Sequence, residues 1–397
     1  MKKIYYGKAV YDKKEINAVI NVLKNSSLSL IDGKRVKEIE KKVSNIFGKK
    51  YGLMVNSGSS ANLLALSSFK FKKGSEIITP NLTFSTTVAP IYQLGLIPHF
   101  IGVEENKFVS DASQIEKCIN KKTVALMIPN LLGNIADWKQ IYQIAKKYNL
   151  KIIEDSADTI GYTVNNKNLG QYSDITTNSF YASHIINGAG TGGIVCFNDF
   201  NLYERAKLLR GWGRSSATFN ESENASKRFN VKVSGIDYDA KYIFSDLGYN
   251  FLPSEISAAF VLQQIKKLKN NISIRNKNFR YLKDFFKDYT EYFKLPEQNI
   301  GVRTAWLAFP LVIKKNRYFT RRDLQIFFEK NNIQTRTIFT GNILKQPVMK
   351  NKYYKKHPQC DKIANDVMKN GILLGCHQGM KKGELDYICK IFKKIIN

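Results

Sequence analysis

One pattern dominates the first half of the chain. Short, unbroken apolar runs at 76–79, 97–101, 123–129 and 151–154 enclose stretches of helical apolar spacing at 85–94, 111–120 and 136–148. A strand buried on both faces reads as a continuous apolar run rather than an alternation. Strands joined through helices run parallel, so the pattern predicts βαβ units around a largely parallel sheet. Strand-like stretches at 173–181 and 193–198, with one ahead of Asn56, bring the expected sheet to seven strands. Amphipathic spacing places helices at 12–24 and 35–47, and a third is expected at 58–70. Residues 215–240 are polar and poorly periodic and read as a long loop. The tail has helical patterns at 254–268, 271–290, 320–331, 360–370 and 383–395, with strands near 306–313 and 333–337. The fold class is therefore α/β, with a large domain over residues 1–255 and a smaller α+β domain over 256–397.

Composition narrows the function classes. At 397 residues with 12% aromatics the chain can bury a substantial core, and disorder is excluded. No apolar run approaches the ~20 residues that span a bilayer, so no membrane association is expected. The N-terminal MKKIYYGKAVYDKKE has no apolar core of a secretory signal. The five cysteines are widely spaced and form no CxxC pair, which predicts a cytoplasmic protein without a disulfide framework. A formal charge of +29 raises nucleic-acid binding, but the lysines are spread along the whole chain and no nucleic-acid-binding motif accompanies them. No nucleic-acid partner is expected.

Four local features follow one another along the α/β part. Asn56-Ser57-Gly58-Ser59-Ser60-Ala61-Asn62 sits at a strand-to-helix turn, where backbone N–H groups can receive a phosphate or simply cap the helix. Thr83-Phe84-Ser85-Thr86-Thr87 opens the next helix, and its aromatic can stack on a planar group or join the core. Glu154-Asp155-Ser156-Ala157-Asp158 puts carboxylates at the C-terminal end of a strand, where open α/β sheets bind ligands. Ser179-Phe180-Tyr181-Ala182-Ser183-His184 precedes a glycine-rich return, Gly188-Ala189-Gly190-Thr191-Gly192-Gly193.

In this order and at these separations the four features resemble the DegT/DnrJ/EryC1/StrS family, which comprises nucleotide-sugar aminotransferases of PLP fold type I. Gly133-Asn134, Gly211-Trp212-Gly213-Arg214, Gly248-Tyr249-Asn250, Arg336 and Thr340-Gly341-Asn342 extend the likeness over essentially the whole chain. The family has a cofactor-binding lysine where this chain has His184. That exchange resembles the sugar 3-dehydratase branch acting on GDP-4-keto-6-deoxysugars.

The resemblance implies an aspartate-aminotransferase-like fold and pyridoxal or pyridoxamine 5'-phosphate as cofactor. It implies that Gly58, Ser59 and Ser179 bind the cofactor phosphate, Phe84 stacks on the ring, and Asp155 pairs with the ring nitrogen. Asp158 would lie near the ring hydroxyl, and His184 would be the acid/base. Asn250 would reach the phosphate of a neighbouring subunit in a homodimer with shared sites, and Arg214 would contact the sugar nucleotide. L-Glutamate would be the amino donor. A related CDP-sugar branch uses an iron–sulfur cluster, but the cysteine gaps here do not match its tighter grouping, and no cluster or other metal is expected. Three departures bear on the substrate: Leu252 where an arginine is expected, the extra glycine after His184, and Asp158 in place of a glutamate. They admit a GDP-hexose or a GDP-heptose. An aminotransferase working without the lysine and a silent nucleotide-sugar-binding subunit are the alternatives.

Overall fold

The computed structural model describes residues 2–25, 30–218 and 224–396. An eight-stranded sheet forms its centre, in the order 51–55, 193–197, 175–179, 151–155, 123–129, 76–80, 97–101, 355–356. Seven of these are the strands expected from the sequence. The eighth is a two-residue edge strand, Lys355–Lys356, pairing in parallel with Ile97–Ile101. Gly193–Phe197 runs antiparallel to both neighbours, and the strands from Ile175–Ser179 outward are parallel. A Cβ on Gly193 would lie 2.5 Å from the Ser57 carbonyl carbon, so only glycine lets this strand end against the turn after Tyr51–Val55.

The flanking helices include Lys34–Phe47, Gly58–Ser67, Ser85–Gln93 and Trp138–Lys147. The expected helix at 111–120 is shorter, a 3-10 turn at Ala112–Gln114 followed by Ile115–Cys118. The segment 215–240 is not a plain loop. It carries a helix, Ala225–Phe229, and a hairpin of Val231–Val233 with Ile236–Tyr238, while 219–223 lie outside the described residues. Ser234 and Gly235 at its tip both have positive φ, as the tightest hairpin turns require.

Two further expectations are corrected. The patterns at 254–268 and 271–290 belong to one helix, Glu255–Phe286, of 32 residues. No strand forms at 333–337, where Arg336 makes only an isolated bridge to Leu373; the small sheet is instead built from Phe293–Lys294, Phe309–Ile313 and Gly371–Leu374. The long helix contributes to two apolar cores. Ala258, Val261, Leu262 and Leu268 pack with the large sheet and its helices, whereas Phe279, Leu282 and Phe286 pack with Phe309, Phe328 and Phe392.

Candidate active site

The parallel strands end together on one side of the sheet, and there the loops enclose a cavity of about 450 Å3. Seven of the nine residues singled out from the sequence line it, among them Gly58, Ser59, Phe84, Asp155, Asp158 and Ser179. His184, the candidate acid/base, is on the same wall.

Ser57 caps the helix Gly58–Ser67 by accepting a bond from the Ser60 amide, 3.0 Å away. The amides of Gly58 and Ser59 fall in the first turn, where no carbonyl of the helix can accept from them. A Cβ on Gly58 would sit 2.6 Å from that of Ser179, so glycine lets the Ser179 hydroxyl approach this amide cup. The cup suits a phosphate group.

Asp155 closes its strand and is buried. Its Oδ2 accepts from Asn62 Nδ2 and Thr87 Oγ1, each at 2.8 Å, and Oδ1 accepts from the Ala157 amide at 3.1 Å. Burial raises its pKa, and the three donors oppose the shift. A buried carboxylate held by neutral donors and opening on a cavity suits a cationic ring N–H. Phe84 caps the helix Ser85–Gln93 and is half exposed, with its ring edge-on to Phe339 at 6.2 Å. An exposed aromatic at a cavity mouth offers its face to a planar group. The cup, carboxylate and aromatic thus fit pyridoxal phosphate.

His184 Nδ1 lies 3.3 Å from the Ser179 carbonyl, which can only accept. Nδ1 therefore carries the hydrogen, and Nε2 keeps its lone pair toward Asp158 Oδ1 at 4.0 Å. Burial lowers the imidazole pKa to about 4. Burial raises Asp158 to about 7, against a bond from the Leu132 amide that favours the charged form. The pair thus holds a neutral imidazole beside a carboxyl that takes up a proton near neutrality.

Asn250 and Arg214 do not line the cavity. Asn250 is exposed and its carbonyl accepts weakly from Asn56 Nδ2 at 3.4 Å. Arg214 places its guanidinium over Trp212, Tyr242 and Phe244 at 4.8–5.8 Å. The structure also adds wall residues that no motif marked: Tyr6, Leu307 and Phe339. They come from segments far apart in sequence, and only the fold assembles them. Among the described residues no cluster of three or more His, Cys, Asp or Glu is arranged to hold a metal ion.

Comparison with known proteins agrees with this geometry. The profile of the DegT/DnrJ/EryC1/StrS aminotransferase family matches residues 10–393. Lipopolysaccharide biosynthesis protein RfbH of Salmonella typhimurium is 35% identical, the match covering 89% of this chain and 83% of that protein. GDP-4-keto-6-deoxy-D-mannose 3-dehydratase of Escherichia coli O55:H7 is 33% identical, over 97% of this chain and 98% of its own. Solved structures of the E. coli GDP-4-keto-6-deoxy-D-mannose 3-dehydratase with bound hydrated PLP, and of GDP-4-keto-6-deoxymannose 3-dehydratase with a trapped PLP–glutamate geminal diamine, each give a TM-score of 0.86 at 32% identity. Each match covers 98% of this chain and 99–100% of the solved one. The chain therefore belongs to the DegT/DnrJ/EryC1/StrS family and has the PLP fold type I architecture.

Proposed function

We propose that the protein is a PLP/PMP-dependent lyase, a cytoplasmic 3-dehydratase that removes the C3 hydroxyl of a GDP-4-keto-6-deoxysugar, hexose or heptose, with L-glutamate as amino donor. The product is a 3-deoxy-4-keto sugar for dideoxysugar and surface-polysaccharide synthesis. One observation carries this reading: an imidazole, His184, is on the cavity wall at the position the resemblance gives to the family lysine, and among the described residues no lysine lines that wall. Without a side-chain amine the cofactor is held by noncovalent contacts alone. The bound cofactor supplies an electron sink and carries the amino group from glutamate to the sugar.

The chain's own residues do the rest. Gly58, Ser59 and Ser179 anchor the phosphate, Phe84 covers a ring face, and Asp155 keeps the ring nitrogen protonated. His184, neutral at physiological pH, accepts a proton at Nε2 and returns it to the departing C3 oxygen. Asp158 orients that nitrogen. The balance closes: the sugar loses one oxygen and is reduced by two electrons, while glutamate is oxidised to 2-oxoglutarate and ammonia and gains that oxygen through water. Arg214, stacked among aromatic rings outside the cavity, is assigned to the sugar nucleotide, and Asn250 to the phosphate of the second subunit in a homodimer. The likeness to solved 3-dehydratases supports the cofactor, the GDP-sugar and glutamate.

The test is product analysis. Purified protein is incubated with PLP, L-glutamate and a GDP-4-keto-6-deoxysugar, and the sugar is followed by mass spectrometry. A 3-deoxy sugar with equimolar ammonia and 2-oxoglutarate is expected without any reductase. An amino sugar in its place would make the protein an aminotransferase, and bound cofactor without turnover across a panel of GDP-sugars would make it a silent subunit.

A further inference from the structure

Behind the His184 wall the long helix Glu255–Phe286 presents a polar stripe in an otherwise apolar setting. Asn271, Arg275 and Asn278 stand at positions i, i+4 and i+7, on one face, and all three are buried. Asn271 donates to the Ile185 carbonyl at 3.2 Å and Asn278 to that of His377 at 3.0 Å. Arg275 lies between them, fully buried. Its Nε donates to Gln378 Oε1 at 2.7 Å, Nη1 to the carbonyls of Trp306 and Leu307 at 3.2 and 3.0 Å, and Nη2 to the Ser183 carbonyl at 3.3 Å. Gln378 in turn donates to the Ile185 carbonyl at 3.3 Å. The two carbonyls that flank His184 in the chain are thus both held by this stripe.

Every acceptor on Arg275 is neutral, and among the described residues no carboxylate lies within ion-pair distance of it. Burying a cation without a counter-ion costs several kcal/mol, and the charge left uncompensated acts on whatever titratable group lies near it. We propose that Arg275 is a positioning residue for His184: it locks the Ser183–Ile185 turn, and its uncompensated charge biases the imidazole toward the neutral, proton-accepting form. The charge acts against imidazolium from the helix side. From the other elements, Asp155 and Asp158 after the strand and Tyr6 from the N-terminal segment share the cavity wall with the imidazole, and Tyr181 from its own turn packs edge-on to it; Cys376 and His377 border Arg275. Favouring the charged imidazole are the backbone groups of Ser179 and Ala157 and the Asp158 carboxyl at 4.0 Å, whose own pKa burial raises to about 7.

The inference rests on His184 being the acid/base, so its test uses a readout that does not depend on turnover. Imidazole titration is followed by NMR in PLP-loaded protein labelled at its four histidines, with His184→Asn identifying the resonance. Arg275→Gln, which keeps a polar amide donor and removes the charge, is expected to raise the His184 midpoint by about one pH unit. Arg275→Lys, which keeps the charge and loses the fork, is expected to leave the midpoint in place and lower kcat about 10-fold. If dehydration is observed, the acid limb of kcat/KM moves with the NMR midpoint in the Gln variant. An unchanged midpoint in folded Arg275→Gln, shown by native circular dichroism, overturns the proposal even if the enzyme is a dehydratase. A shifted midpoint in a protein that dehydrates nothing would retain the inference and reject the function.

Discussion

Two fully buried arginines in this protein live under opposite rules. Arg210, at the end of the helix Phe200–Arg210, donates from Nη1 to Glu40 at 3.0 Å and from Nη2 to Asp32 at 2.6 Å, with the Met54 carbonyl as a third acceptor. Glu40 also accepts from the Met54 amide, so this seam between helix and edge strand is charge-paired. The region around His184 is different. Among the described residues Arg275 has only neutral partners, and Asp155 and Asp158 have no cation in contact other than His184 when protonated. Paired charges cancel each other's field and serve the fold; unpaired ones leave a field in the cavity, at a cost in stability, for a ligand to complete.

The largest effect should come from breaking the paired seam. Arg210→Met leaves Glu40 buried without its cation, and a loss of about 3–5 kcal/mol in denaturant unfolding is expected. The His184 titration should not move, and if it does the two regions are not independent. Next comes Asp155→Asn, which takes from the cavity the charge meant for the ring nitrogen. Dehydration should fall about 10²–10³-fold while unfolding stability holds or rises, since burial already disfavours this carboxylate's charge. A matching loss of stability would make Asp155 a member of the fold's charge pairing.

The smallest effect concerns pH. The Asp158 pKa is raised to about 7 in the folded protein, so its destabilising contribution grows as pH rises from its unfolded value near 4 and is complete above 7. Asp158→Asn should therefore match the parent protein at pH 4 and be more stable by about 1–2 kcal/mol at pH 8. His184 has the opposite sign. Its pKa is lowered to about 4, so stability is lost as pH falls below 6.5, and His184→Asn should flatten the acid side of the same curve.

Most of the large sheet was legible because its strands are buried on both faces, and unbroken runs such as Thr123–Pro129 have no other common reading. The phosphate turn and the Asp155 strand end were legible for the same local reason. The small domain was less so. Ile333-Gln334-Thr335-Arg336-Thr337 alternates like a strand, yet the sheet position goes to Gly371–Leu374, whose four residues are all buried. In the sequence the long helix shows as two patterns, 254–268 and 271–290, which meet at Asn270-Asn271, a pair of weak helix formers. Asn271 is retained there by its bond to the Ile185 carbonyl, a tertiary contact that local propensity does not register. Arg275 and Tyr6 escaped for a related reason: neither belongs to a motif, and each matters through groups distant from it in sequence.

That same 32-residue helix has a mechanical consequence. One end is set in the core beneath the large sheet and the other in the core of the small domain, so neither hydrophobic unit can melt without pulling a structural member out of its neighbour. The two halves are coupled like the ends of a shared beam, and calorimetry should register them as a single cooperative transition.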